Sequence, residues 1–261
     1  MNAKFTLALC ALTLTAVLTG YAASPAADQS SLYAPSYTWG TGTNNGVGFS
    51  SWTLTKSGTG GYYIGGSGEN VLDSFALYSG SDSGSAFADR SFTNGPLSAG
   101  QTFSFDIGGT SVDQNGVIGM NLMSGSTPVF TFKFTGGQLV WALNDGGGGG
   151  DFNTDVNYMA GNSSTVPPTA FPVSFAFTYN GGSSYSVLIT EGSHTYVGPN
   201  YTATNPLNDI TGFRFFSVNQ GGGQNVGFDN LSVVPEPSSL ALLGGASVLG
   251  ASFYLRRRRK S

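Results

Sequence analysis

Hydrophobic and polar residues alternate with period two along most of the chain. Phe103 and Phe105 alternate with Ser104 and Asp106, and Phe130, Phe132 and Phe134 alternate with Thr131 and Lys133. Leu139, Trp141 and Leu143 fall on one parity, as do Val173, Phe175, Phe177 and Tyr179. Tyr185, Val187 and Ile189 form another such row, and Phe213 and Phe215 another. Tyr37-Thr38-Trp39 and Ser51-Trp52-Thr53 predict the first strands. In an extended chain successive side chains point to opposite faces, so each run predicts a strand with one dry and one wet face. Gly136-Gly137, Asn180-Gly181-Gly182 and Asn94-Gly95-Pro96 supply turns between them. No helical periodicity longer than a turn or two interrupts residues 24–234. The pattern predicts an all-β fold, an antiparallel β-sandwich or jelly roll.

The two ends break the pattern. Lys4 precedes an apolar run from Phe5 to Leu18, followed by the small-residue stretch Gly20-Tyr21-Ala22-Ala23-Ser24. That order predicts a signal peptide over residues 1–23, cut near Ala22 or Ala23. Tyr21 stands where a lipoprotein signal needs cysteine. At the other end come Pro235-Glu236-Pro237, a nearly charge-free run over 238–255, and the basic stop Arg256-Arg257-Arg258-Arg259-Lys260. As a helix the middle run is about 27 Å long, enough for a thin hydrocarbon core. The prolines place its start after themselves, and the cations favour retention on the cytoplasmic side. Residues 235–261 thus predict a single C-terminal transmembrane helix.

This three-part tail resembles the PEP-CTERM sorting signal of bacterial exported proteins. The resemblance implies an exosortase-type processing enzyme that cuts near Pro235-Glu236-Pro237. It also implies attachment to the inner membrane through the C-terminal helix before processing, then a place on the cell surface or outside the cell. Over roughly residues 75–233 the segments Ser74–Tyr78, Ala88–Phe92, Leu97–Phe103, Val117–Leu122, Phe213–Phe216 and Val226–Val233 are similar to concanavalin-like, laminin-G-type jelly rolls of exported bacterial proteins. That likeness implies a fold rather than an activity.

Charge sharpens the picture. The whole chain carries −4, but six of its ten basic residues lie in the two ends. The body keeps Lys56, Arg90, Lys133 and Arg214 against thirteen acids, a net charge of −9. Such a body is a poor partner for nucleic acid or anionic lipid. The only cysteine, Cys10, lies in the predicted signal peptide, which leaves the mature body without disulfides or thiolate metal sites.

Candidate chemistry is sparse. The body has two glutamates, Glu69 and Glu191. Neither begins the Glu-x-Asp-x-x-Glu pattern that concanavalin-like glycosidases use to hold two carboxylates on one strand face, and Glu69 with Asp73 is the nearest approach. His194, the single histidine, cannot build a triad or a multi-histidine zinc site, and its surroundings read as a turn. Gly146–Gly150 and Gly221–Gly223 lack the following Gly-Lys-Ser/Thr of a phosphate loop and read as hairpin tips. Asp151, Asn153 and Asp155 place oxygens at alternate positions, as in the first half of an EF-hand loop. Val156 and Asn162 occupy its glycine and glutamate positions, so an EF-hand is excluded. A looser Ca2+ cage with Asn144 and Asp145 stands beside the plainer reading, a polar loop. For carbohydrate, Trp39, Trp52, Tyr62, Tyr63 and Tyr158 are candidate platform aromatics, though sandwich aromatics mostly belong to the core. If residues 62 and 63 lie in a strand, their rings face opposite ways.

Taken together the sequence predicts an exported, non-catalytic envelope or extracellular-matrix sandwich with no required cofactor and exopolysaccharide as a candidate partner. A lectin-like carbohydrate-binding module is the alternative, and a glycoside hydrolase the weaker one.

Overall fold

The aromatic rows pair into two antiparallel sheets. A computed structural model describes residues 26–65, 73–81, 83–109, 111–146, 151–157, 172–204, 206–207, 209–221 and 224–235. The first half contributes β1 (Ala26–Asp28), β2 (Thr53–Ser57), β3 (Gly61–Gly65), β4 (Ser74–Tyr78), β5 (Ser85–Ser91), β6 (Gln101–Gly109), β7 (Val117–Ser124) and β8 (Thr127–Thr135). The second half contributes β9 (Val140–Asn144), β10 (Phe152–Asn157), β11 (Val173–Gly181), β12 (Ser184–Glu191), β13 (His194–Val197), β14 (Tyr201–Thr202), β15 (Gly212–Val218) and β16 (Val226–Pro235). The only helical turn among the described residues is a 3-10 turn at Ser30–Tyr33.

One sheet has nine strands in the order β13-β12-β11-β6-β16-β4-β3, with β1 also paired to β16 and β14 to β12. The other has seven, in the order β10-β9-β8-β7-β15-β5-β2. Pro25–Val234 forms one compact unit. The inner faces meet through aromatic rings. Phe105 of β6 lies 4.9 Å from Phe215 of β15, and Phe175 of β11 lies 4.4 Å from Phe132 of β8. Phe215 stacks on Phe228 of β16 at 3.9 Å. These rings are fully buried, and each close pair adds about 0.5–1.5 kcal/mol beyond its buried area.

The period-two rows hold, and three local expectations are corrected. Tyr37-Thr38-Trp39 is no strand: Tyr37 sits at φ 47°, and Trp39 reaches the core from a loop, edge-on to Trp52 at 5.4 Å. Leu139 is 67% exposed although Trp141 and Leu143 are buried, because the Gly136-Gly137 turn is not complete until Val140 opens β9. Residues 152–157, expected as a polar loop, form β10 against β9, since Thr154 and Val156 supply a buried face.

Candidate functional site

Directly opposed residues of an antiparallel pair share one face. Following the register across the seven-stranded sheet gives one outward row: Thr53, Asp89, Arg214, Asn121, Thr131 and Asn144. Six strands each contribute one polar side chain. The neighbours of these residues, such as Ala88, Phe213, Phe215, Met120, Leu122, Phe130, Phe132 and Leu143, turn inward and are buried. The next outward row is Thr55, Phe87, Phe216, Gly119, Lys133 and Ala142. An apolar strip therefore lies beside the polar one.

The polar row is partly self-satisfied. Arg214 donates from Nε to Asp89 Oδ1 at 2.6 Å, and its guanidinium lies 5.3 Å from the Phe87 ring centre. Both Nη groups of Arg214 remain without a partner among the described residues, as does Asp89 Oδ2. Thr131 donates to Asn121 Oδ1 at 2.7 Å, leaving the Asn121 amide nitrogen outward. Burial raises the Asp89 carboxyl above its ordinary value, against the bond and charge of Arg214. Burial also pushes Asp151 up, but hydrogen bonds from Lys133 and Asn144 outweigh it and hold it below the usual range.

A hollow bordered by Ser50, Asp89, Ser91, Met123, Thr211 and Gly212 opens at one end of the row. Gly212 is required there. A Cβ on it would stand 2.3 Å from the Arg90 carbonyl oxygen.

A second polar cluster is buried. Asp28 and Arg90 form an ion pair with both side chains at 0% exposure. Arg90 also bonds Asn44 Oδ1 and donates to the Ser50 carbonyl at 2.6 Å. Tyr33 donates to Asp28 Oδ2 at 3.1 Å and accepts from Trp52 Nε1 at 3.0 Å. Nearby, Asp229 of β16 accepts from the Ser30 N–H at 2.7 Å. Asn230 follows at φ 53° and bonds Asp106 at 2.7 Å. The Asp229-Asn230 pair thus ties β16 to the N-terminal segment on one side and to β6 on the other. The sequence reading passed over Asp28, Ser30, Arg90 and Asp229. Ala86, Ala88 and Arg90 share one parity, and an arginine on a dry face in a body with four cations was the available signal.

Burial raises the Asp229 carboxyl, with Asp28 adding to it and bonds from Ser30 opposing. Ser30 Oγ stands 2.7 Å from the Asp73 carbonyl and 2.8 Å from Asp229 Oδ2, with one proton for two acceptors. A protonated Asp229 completes that chain. A raised folded value gives stability that is full below the unfolded value of 3.8 and is lost as pH rises through the folded value. Relative to an Asp229→Asn variant, the wild type should therefore lose stability as pH climbs from 3.5 toward neutrality. Urea unfolding at a series of pH values checks this, and a pH-independent difference would refute it.

The expected site residues scatter. Asp151 is bound to Lys133 Nζ at 2.7 Å and to Asn144 Nδ2 at 2.9 Å. Asn153 is exposed on β10, and Asp155 lies on the same strand. Asp145 accepts from Tyr185 at 3.2 Å. Among the described residues no group of three or more His, Cys, Asp or Glu is placed to hold a metal ion. Glu191 and His194 oppose one another across the β12–β13 turn, where burial raises Glu191 and the His194 charge opposes it. Trp39 and Trp52 are core residues. Tyr62 packs on Trp39 and Tyr63 on Tyr78, on opposite faces. Pro235 closes β16. Glu69, Tyr158, Glu236, Pro237, Arg256–Lys260 and the predicted signal peptide and transmembrane helix lie outside the described residues. Among the described residues no helix is long and apolar enough to cross a membrane.

The PEP-CTERM protein-sorting motif matches residues 233–259. The chain carries a PEP-CTERM sorting signal. The signal indicates export, a membrane-anchored sorting intermediate and processing by an exosortase. Among curated proteins none matches this chain. Among solved structures it is similar to the galectin LEC-6 of Caenorhabditis elegans, at 17% identity and a TM-score of 0.33, over 52% of this chain and 86% of that one. It is also similar to a carbohydrate esterase of the Shiga toxin-encoding bacteriophage phi24B, at 11% identity and a TM-score of 0.45, over 70% of this chain and 90% of that one. The binding domain of Paraclostridial Mosquitocidal Protein 1 is similar at 15% identity and a TM-score of 0.43, over 76% of this chain and 48% of that one.

Proposed function

We propose that this PEP-CTERM protein is a non-catalytic component of the cell envelope or extracellular matrix, and that the outer face of its seven-stranded sheet contacts exopolysaccharide. The half-used Arg214–Asp89 pair carries the reading. Two free Nη donors beside a free carboxylate oxygen match the adjacent hydroxyls of a sugar ring, which both donate and accept. Asn121, Thr131 and Thr53 continue that chemistry along a row long enough for several sugar units, and the half-buried Phe87 offers apolar contact beside it.

Pairing on the face also favours binding over catalysis. Asp89 is held by Arg214 and Asp151 by Lys133. A retaining glycosidase instead needs two carboxyls about 5 Å apart, one of them protonated. A lectin-like module that takes one defined saccharide is the second reading, favoured by the hollow at the end of the row. A calcium ion at Asp151, Asn153 and Asp155 would have to displace Lys133 from Asp151.

Arg214→Ala is expected to weaken retention on the host's purified exopolysaccharide about tenfold, or about 1.4 kcal/mol. The melting temperature should barely move, because a half-exposed ion pair contributes about 1 kcal/mol or less. Affinity electrophoresis against the same polysaccharide provides the measurement. Undiminished retention would sink the assignment of this face, and release of sugar fragments would sink the non-catalytic reading. A glycan array separates the matrix reading from the lectin.

A further inference from the structure

The matched sorting motif begins at Val233, inside β16, which runs to Pro235. Its first residues are therefore held in a β-ladder. On one side of β16 lies β6, joined by Ser104 Oγ and Ser232 Oγ at 2.7 Å. On the other side, Ala26, Ala27 and Asp28 of β1 oppose Val233, Ser232 and Leu231. The strand that covers the threshold of the motif is thus the first described segment of the chain.

β1 is also a short strand. It has three residues, and beyond β16 it makes one bridge, from Ala27 to Val47. Its anchors, Asp28 and Ser30, lie inward of the rung next to the motif. Ala26 holds that rung with the smallest of side chains.

An extended segment is commonly recognised by pairing of its free edge with a strand of the partner. Leu231–Val234 is already extended, and what it lacks is the edge that β1 occupies. We infer that Leu231–Val234 is the strand the processing exosortase pairs with, and that β1 competes for the same edge. Docking of β1 then slows removal of the tail, and tail removal is fastest before β1 has settled. This rests on exosortase processing of the tail.

The body's lack of cysteine makes a clean test possible. Ala27 exchanges both its backbone bonds with Val47, at 3.0 and 2.9 Å. Ala27 and Ser232 are therefore a non-hydrogen-bonded pair, the kind whose side chains stand closest and which a disulfide can bridge. The full-length Ala27→Cys/Ser232→Cys protein, made in its own host, would oxidise outside the cytoplasm. Pulse-chase with mass spectrometry of the C-terminus then follows tail removal with and without dithiothreitol. Removal should be at least fivefold slower in the oxidised form than in the reduced one. Ala27→Pro, which deletes the N–H bonded to Val47, should speed it severalfold. Equal rates in oxidised and reduced protein overturn the competition by β1. No tail removal in either state overturns exosortase processing itself, and this inference with it.

Discussion

Replacing Arg90 with alanine is expected to lower the unfolding free energy of the tail-free protein, residues 24–234, by about 3–5 kcal/mol. Arg90 and Asp28 are both wholly buried, and a buried carboxylate stripped of its cation must be protonated or solvated at large cost. The guanidinium also covers the Phe49 ring at 5.1 Å and the Trp52 ring at 4.7 Å, so its loss opens a gap in the core. The Ser50 carbonyl and Asn44 lose their donor as well. A typical domain is stable by about 5–15 kcal/mol, so the loss removes at least about a fifth of the total. Urea titration measures it. Replacing both partners, Asp28→Leu with Arg90→Met, should recover much of the loss, because removing both charges removes the desolvation cost. A loss below about 1 kcal/mol for Arg90→Ala would show that the pair is not the anchor of the N-terminal segment.

Deleting residues 235–261 is expected to leave the fold intact and abolish correct sorting. The last rung of β16 is Val233 against Ala26, and Val234 is already 44% exposed. Among the described residues, the deletion takes Pro235 from the strand and none from the core. The deletion removes nearly all of the matched protein-sorting motif. Cell fractionation of truncated and full-length protein reads the outcome. An unchanged distribution would defeat the sorting claim, and a melting temperature lowered by more than about 5 °C would defeat the claim of an independent fold.

The strands were legible because period-two aromatics leave little choice. Phe103, Phe105, Phe175 and Phe177 could be assigned inward from parity alone, and the structure pairs them in register as Phe105 with Phe175 and Phe103 with Phe177. Leu139 was misplaced because a turn resets parity by an amount that its glycines do not specify. Residues 152–157 misled because acidic and amide side chains mask a buried Thr154 and Val156. The sorting motif was legible because its residues are contiguous.

The candidate face was not legible. Thr53, Asp89, Asn121, Thr131, Asn144 and Arg214 are spread over 162 positions of the chain, and only the strand order brings them into one row. The buried Asp28–Arg90 pair had the same obstacle, its partners lying 62 positions apart. The sequence by itself determined the fold class, the wet and dry face of most strands, the charge of the body and the address at its end. Each of these depends on residues that are neighbours in the chain. The tertiary structure decided which polar residues stand together, which charges are buried, and that the first strand lies against the threshold of the sorting motif. Those facts depend on strand order and register, which long-range packing of the two sheets sets and local periodicity does not.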